Sequence, residues 1–125
     1  MNGWSPKSIR TEGTSTLSAN MSAVQVGADF SLTAGGASSS LVVGIKCASI
    51  AGTVTFQLQT GMLESFANVS GKTVSAANGW NYIKVHHNAT GDAALLPLLD
   101  LGRVVVTTNG TGAGTIEQLV VLQEQ

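Results

Sequence analysis

Apolar and polar residues alternate with a period of two along much of this chain. Val24, Val26, Ala28, Phe30 and Leu32 alternate with Gln25, Gly27, Asp29, Ser31 and Thr33, and Val54, Phe56 and Leu58 alternate with Thr55, Gln57 and Gln59. Successive side chains of a strand point to opposite faces, so each segment offers one face for burial and one for water. Residues 41–47, 80–86, 103–108 and 116–123 are rich in β-branched, aliphatic or aromatic residues and read as further strands, with shorter ones at 14–19 and 65–69. Turn-forming clusters separate them at Gly35-Gly36, Ala51-Gly52, Asn78-Gly79, Thr90-Gly91-Asp92 and Asn109-Gly110. The spacing predicts an all-β chain, an antiparallel β-sandwich or jelly-roll of about seven to eight strands.

Two segments depart from the pattern. Residues 92–101 read DAALLPLLDL and invite a helix, but Pro97 removes a backbone donor and clashes with the preceding turn at a cost of ~3 kcal/mol, so an extended connection or edge strand is expected. Residues 1–13 lack alternation and read as an N-terminal arm ahead of a sandwich domain at 14–125. Three strands are apolar on both faces: 80–86, where Trp80 and Tyr82 oppose Ile83 and Val85; 104–106; and 119–122, which reads LVVL. An isolated sandwich keeps its outer faces polar, so two-sided strands predict cover, and another subunit is the expected source. Val105, Leu119 and Val121 are assigned to that interface, together with Trp4, whose indole an arm could dock on a neighbour or fold back over its own sandwich.

Composition sharpens this picture. Charged residues make up 10% of the 125, against roughly 25% in ordinary soluble proteins, and the net charge is -1. No Lys/Arg cluster exists, so neither nucleic acid nor an anionic membrane is an expected partner. So little charge protects weakly against self-association, and a homo-oligomer is the expected working state. Residues 1–13 carry no apolar stretch of the ~7–15 residues a secretory signal needs. Nor does any segment approach the ~20 apolar residues of a membrane-spanning helix. The single cysteine, Cys47, lies in an apolar run and reads as a buried small hydrophobe rather than a nucleophile.

No combination of residues specifies a reaction, a metal or a cofactor. His86 and His87 are adjacent and would point to opposite faces of a strand, so they cannot jointly chelate one ion. A Ser, one of these histidines and Asp29, Asp92 or Asp100 could be combined into a triad on paper, but triads are defined by geometry and no G-x-S-x-G elbow is present. The glycine-rich 110–114 leads into a β-rich tail rather than a helix, so it reads as a flexible hairpin connection and not a phosphate loop. Four N-x-S/T sequons, at Asn20, Asn68, Asn88 and Asn109, are the accident of an Asn-, Ser- and Thr-rich chain. Trp80 and Tyr82 share one strand face; packing is the preferred reading, a sugar-stacking platform the alternative.

The segments GTVTFQLQTG, SFANVSGKTVSAANGW and LPLLDLGRVVVTTNGTGAGTIEQLVVLQEQ resemble the small β-sandwich structural proteins of tailed-phage virions, including capsid decoration or cement proteins. The resemblance covers about residues 41 to 125 and rests on a T-V-T-F-x-L-Q strand, an Asn-Gly-Trp turn and a final R-V-V-V-T-T and L-V-V-L strand pair. It implies a non-enzymatic virion protein that binds the outside of an icosahedral shell, often as a homotrimer, and reinforces junctions of the major capsid protein. It brings no catalytic residues. A carbohydrate-binding module or fibre-tip adhesion domain is the alternative, resting on Trp80 and Tyr82.

Overall fold

The computed structural model describes residues 4–31, 41–62, 65–85 and 101–124. These form eight strands: β1 (Trp4–Leu17), β2 (Val24–Ser31), β3 (Leu41–Ala51), β4 (Val54–Met62), β5 (Ser65–Ser75), β6 (Gly79–Val85), β7 (Leu101–Thr108) and β8 (Ala113–Glu124). Their antiparallel pairings are nested: β1 with β8, β2 with β7, β3 with β6 and β4 with β5. A single long hairpin has been rolled up so that β8 also joins β3 and β7 joins β4. The result is two four-stranded sheets, the first ordered β1-β8-β3-β6 and the second β2-β7-β4-β5. That nesting defines a jelly-roll, one of the two expected forms of the all-β fold.

The core lies between the sheets. The first sheet contributes Leu17, Leu41, Val43, Ile45, Cys47, Ile83, Val85, Ile116, Leu119 and Val121; the second contributes Val26, Phe30, Val54, Phe56, Leu58, Val69, Val104 and Val106. Burying an aliphatic or Phe side chain contributes roughly 1.5–3 kcal/mol, so this layer supplies the main favourable term. Alternation works as expected in β4, where Val54, Phe56 and Leu58 are buried while Thr55, Gln57 and Gln59 face outward. In β2, Val26 and Phe30 are buried, whereas Val24 at the strand's start is 42% exposed. Phe30 lies against Gly102, and a Cβ on that glycine would overlap the Phe30 ring.

Buried polar groups are bonded locally. The Thr108 hydroxyl donates to the Ser18 carbonyl at 2.6 Å and accepts from the Met21 N–H at 2.8 Å, which ties the β1–β2 connection to the end of β7. Gln57 donates toward the carbonyls of Leu58, Val69 and Lys72 at 2.7, 3.0 and 3.2 Å. These bonds stitch the irregularity where β4 and β5 change register between Gln57 and Gln59.

Four expectations are revised. The expected arm at 1–13 is, from Trp4 onward, part of an edge strand: β1 gains order from backbone pairing to β8, which needs no alternation of side chains. Leu119 and Val121, expected at a subunit interface, are both 0% exposed and belong to the core. The physical cause is a β-bulge. Lys46 pairs with Gln118 while the next residue, Cys47, pairs with Ile116, so Glu117 is the extra residue and the parity of β8 flips after it. Val105 does face outward from the second sheet, but it is only 5% exposed, flanked by its register partners Gln25 and Gln57. Finally, the glycine-rich segment after β7 links strands of different sheets and is not a hairpin within one.

Some expectations fall outside the described residues: the Gly35-Gly36 and Thr90-Gly91-Asp92 turns, His86, His87 and most of 92–101. The side chain of Trp4 does too.

Candidate interaction surface

The outward face of the first sheet departs most from what a solvated sheet requires. Because β6, β3 and β8 are in register, their outward residues form rows. Tyr82, Gly44 and Val120 are partners in the central row; Lys84, Val42 and Leu122 lie on one side and Trp80, Lys46 and Gln118 on the other. On β1 the register partners of Leu122 and Val120 are Pro6 and Ile9.

The choice of face on β6 is set by its partner strand. Asn81, Ile83 and Val85 pair with Ile45, Val43 and Leu41, which are buried, so Trp80, Tyr82 and Lys84 must point out. Trp80 is 41% and Tyr82 52% exposed, which corrects the preferred reading of these rings as core packing. The rings are near-parallel, 12° apart, with centroids 6.2 Å from one another. Lys84 Nζ stands 5.9 Å from the Tyr82 centroid, at the outer edge of cation–π range.

Gly44 sets the height of the surface. A Cβ there would meet Trp80 Cε3 and Cζ3 at 3.3 Å and Tyr82 Cε1 at 3.4 Å, so both rings sit over backbone that carries no side chain. Beside them an open groove of about 250 Å³ is lined by Val42, Gly44, Trp80, Tyr82, Val120 and Leu122. The sequence brought Trp80 and Tyr82 to attention and marked 119–122 as two-sided, but placed its interface on Leu119 and Val121 instead of Val120 and Leu122, and it missed Val42 and Gly44. The signal that would have found them is the register of three strands, which no local window contains.

Asn81 anchors this strand from beneath. Its side chain is 6% exposed; Oδ1 accepts from the Ala77 N–H at 2.9 Å, and Nδ2 donates to the carbonyls of Ile45 at 3.2 Å, Ala77 at 3.0 Å and Gly79 at 3.3 Å. One amide thus closes the turn leading into β6 and ties β6 to β3, between the two positions that carry the rings. Asn78 adds a second tie, accepting from the Ile50 N–H at 2.8 Å.

The outward face of the second sheet is different in kind. Arg103 Nε donates to Gln59 Oε1 at 2.7 Å, and Gln59 Nε2 donates to Asn68 Oδ1 at 2.8 Å. The Arg103 guanidinium lies 4.1 Å from the Phe66 ring centroid and covers its apolar surface. Thr55, Gln57, Thr73 and Ser75 continue this polar surface along β4 and β5.

Elsewhere the chemistry is sparse. Burial pushes the Cys47 thiol up to about 11, so it stays protonated at neutral pH and is a poor nucleophile. Among the described residues no group of three or more His, Cys, Asp and Glu side chains is placed to hold a metal ion. No helix among them is long and apolar enough to cross a membrane.

Fold and surface together define an antiparallel jelly-roll with one polar outer face and one apolar, aromatic-flanked outer face. Comparison with protein-family models, with curated proteins and with solved structures finds no match.

Proposed function

We propose that this chain is a non-enzymatic structural subunit that works by protein–protein contact, in the particular form of a decoration protein bound to the outer shell of a phage virion as a homo-oligomer, a trimer by the resemblance. One observation carries the reading: Val42, Val120, Leu122, Trp80 and Tyr82 form a continuous outward apolar patch on a protein whose other sheet face is polar and internally hydrogen-bonded. Apolar patches rimmed by polar residues mark interaction surfaces, and Trp and Tyr dominate the energetics of such contacts. The jelly-roll is an architecture used by viral capsid domains, although it serves lectins as well and does not decide between them. Particle binding multiplies weak contacts over many copies, which suits a small subunit with little charge.

The test is cosedimentation of the purified chain with intact phage heads and, separately, with unassembled capsid protein. Retention on assembled heads and weak binding to the free subunit is the expected outcome; no binding to intact heads removes the virion reading.

A second reading has its own observation. Two exposed, near-parallel rings on a sheet face could stack sugar rings, as a carbohydrate-binding module or fibre-tip domain would. The aliphatic residues Val42, Val120 and Leu122 beside the rings weigh against it, because a sugar site needs polar groups converging on the hydroxyls. Glycan-array silence and unchanged tryptophan fluorescence across sugars would dismiss it.

A further inference from the structure

We infer that the outward face of the first sheet is a self-association surface, in which the exposed rings of one copy seat in the groove beside the rings of another. This deepens the proposed structural role by naming the occupant of its apolar patch, and it rests on that reading only for the claim that the patch is a protein contact.

Trp80 and Tyr82, both substantially exposed, line a groove whose remaining lining is Val42, Gly44, Val120 and Leu122. The face thus offers a copy of itself both exposed rings to insert and an apolar hollow to receive them, the two halves that an isologous contact requires. At about 250 Å³ the hollow is smaller than the ~300–1,000 Å³ typical of small-molecule sites and fits one or two inserted side chains.

Four strands at about 4.8 Å spacing, seven to fourteen residues long at about 3.4 Å per residue, make a whole sheet face of roughly 450–900 Å² in plan. That is comparable with the ~800 Å² per partner of a standard stable interface. Six basic and seven acidic residues in 125 leave two copies a net charge of -1 each, so no large overall repulsion opposes their approach. Among the described side chains, the charged groups beside the groove are Lys46 and Lys84, both cationic, at opposite ends of the patch rather than within it.

The experiment is light scattering on the full chain from about 1 to 200 µM, comparing wild type with Tyr82→Glu and Val120→Glu on the face and Thr73→Glu on the opposite sheet as a control. Far-UV circular dichroism and thermal melts check that each variant is folded. Wild type and Thr73→Glu are expected to share the mass of a closed dimer or trimer. Tyr82→Glu and Val120→Glu should dissociate at concentrations at least tenfold higher than wild type does, or be monomeric throughout. A wild type that stays monomeric at 200 µM overturns the inference, as does an oligomer whose mass is unchanged in both face variants.

If the wild type is monomeric, soluble oligosaccharides titrated against a Trp4→Phe variant, in which Trp80 is the sole indole, show whether sugars take the face instead. Loss of shell binding with the oligomer intact would count against the virion reading alone. The two failures are therefore distinguishable.

Discussion

Removing the Asn81 amide tests how the aromatic strand is held. In Asn81→Ala the Ala77 N–H loses its acceptor, and the carbonyls of Ile45, Ala77 and Gly79 lose a donor. An unsatisfied buried group costs about 1–3 kcal/mol, but the turn preceding β6 lies partly open, where water can replace some of these bonds. The expected loss is therefore about 2–4 kcal/mol rather than the full sum. With an unfolding entropy of about 2.1 cal/mol/K per residue, this lowers Tm by roughly 8–15 °C for a chain of this length. Asn81→Asp is the sharper variant, since it keeps the acceptor for Ala77 and replaces the donor with a carboxylate oxygen aimed at three carbonyls.

Burial and those carbonyls disfavour the charged carboxylate, so its folded-state pKa is raised above the ordinary ~3.9. The sign follows. At neutral pH the folded state bears the whole penalty, and as pH falls through the raised pKa the carboxyl is protonated, donates again, and recovers stability relative to wild type. Urea unfolding followed by circular dichroism at pH 7 and pH 4.5 measures this, with unchanged m-values securing the comparison. An Asn81→Ala loss under 0.5 kcal/mol, or an Asn81→Asp penalty independent of pH, would refute the anchoring role.

Two other perturbations probe the core. Gly102→Ala should destabilise by about 1–3 kcal/mol because its Cβ has no room beside the Phe30 ring, and a companion Phe30→Leu should recover part of that loss in a double-mutant cycle of urea midpoints. Cys47 should resist a thiol-specific disulfide reagent at pH 8 until urea unfolds the protein. Its folded pKa of about 11, raised from 9.0 by burial, makes it a source of stability that is intact below pH 9 and lost as pH rises through 11; Cys47→Ala should remove that component of the alkaline decline.

The legibility of the fold varied with how firmly each strand's residues set its parity. β4 was legible because every second residue is polar, so only one face can be buried. β8 was not: LVVL has no polar residue to mark the outward positions, and the extra residue at Glu117 shifts the frame just before it. Counting by two from Ile116 places Val120 and Leu122 inside; the bulge puts Leu119 and Val121 there instead. The same ambiguity affected β6, where two rings and two aliphatic residues compete for the core, and the buried Leu41, Val43 and Ile45 of β3 decide it. β1 was illegible for a different reason, since its order comes from backbone pairing with β8 and its mostly polar sequence carries no trace of that.

The groove is therefore a product of topology rather than of motif. Val42, Tyr82 and Val120 come from three strands, and Val42 stands 78 positions before Val120 in the chain (120 less 42). They meet only because the nested hairpin is rolled until β8 pairs with β3 while β3 pairs with β6. Before that closure the outward residues of β8 and β6 have no common surface, and the aliphatic half of the patch is separated from the aromatic half. Self-association through this face then presupposes the finished roll, so partly folded chains lack the surface on which folded copies meet. Contacts this distant in sequence form slowly, and isolated apolar strands are prone to wrong pairing in the interval. A surface assembled only at closure keeps the productive contact for the native state, and it gives a physical reason why variants that loosen the β8–β3 pairing should lose association before they lose their secondary structure.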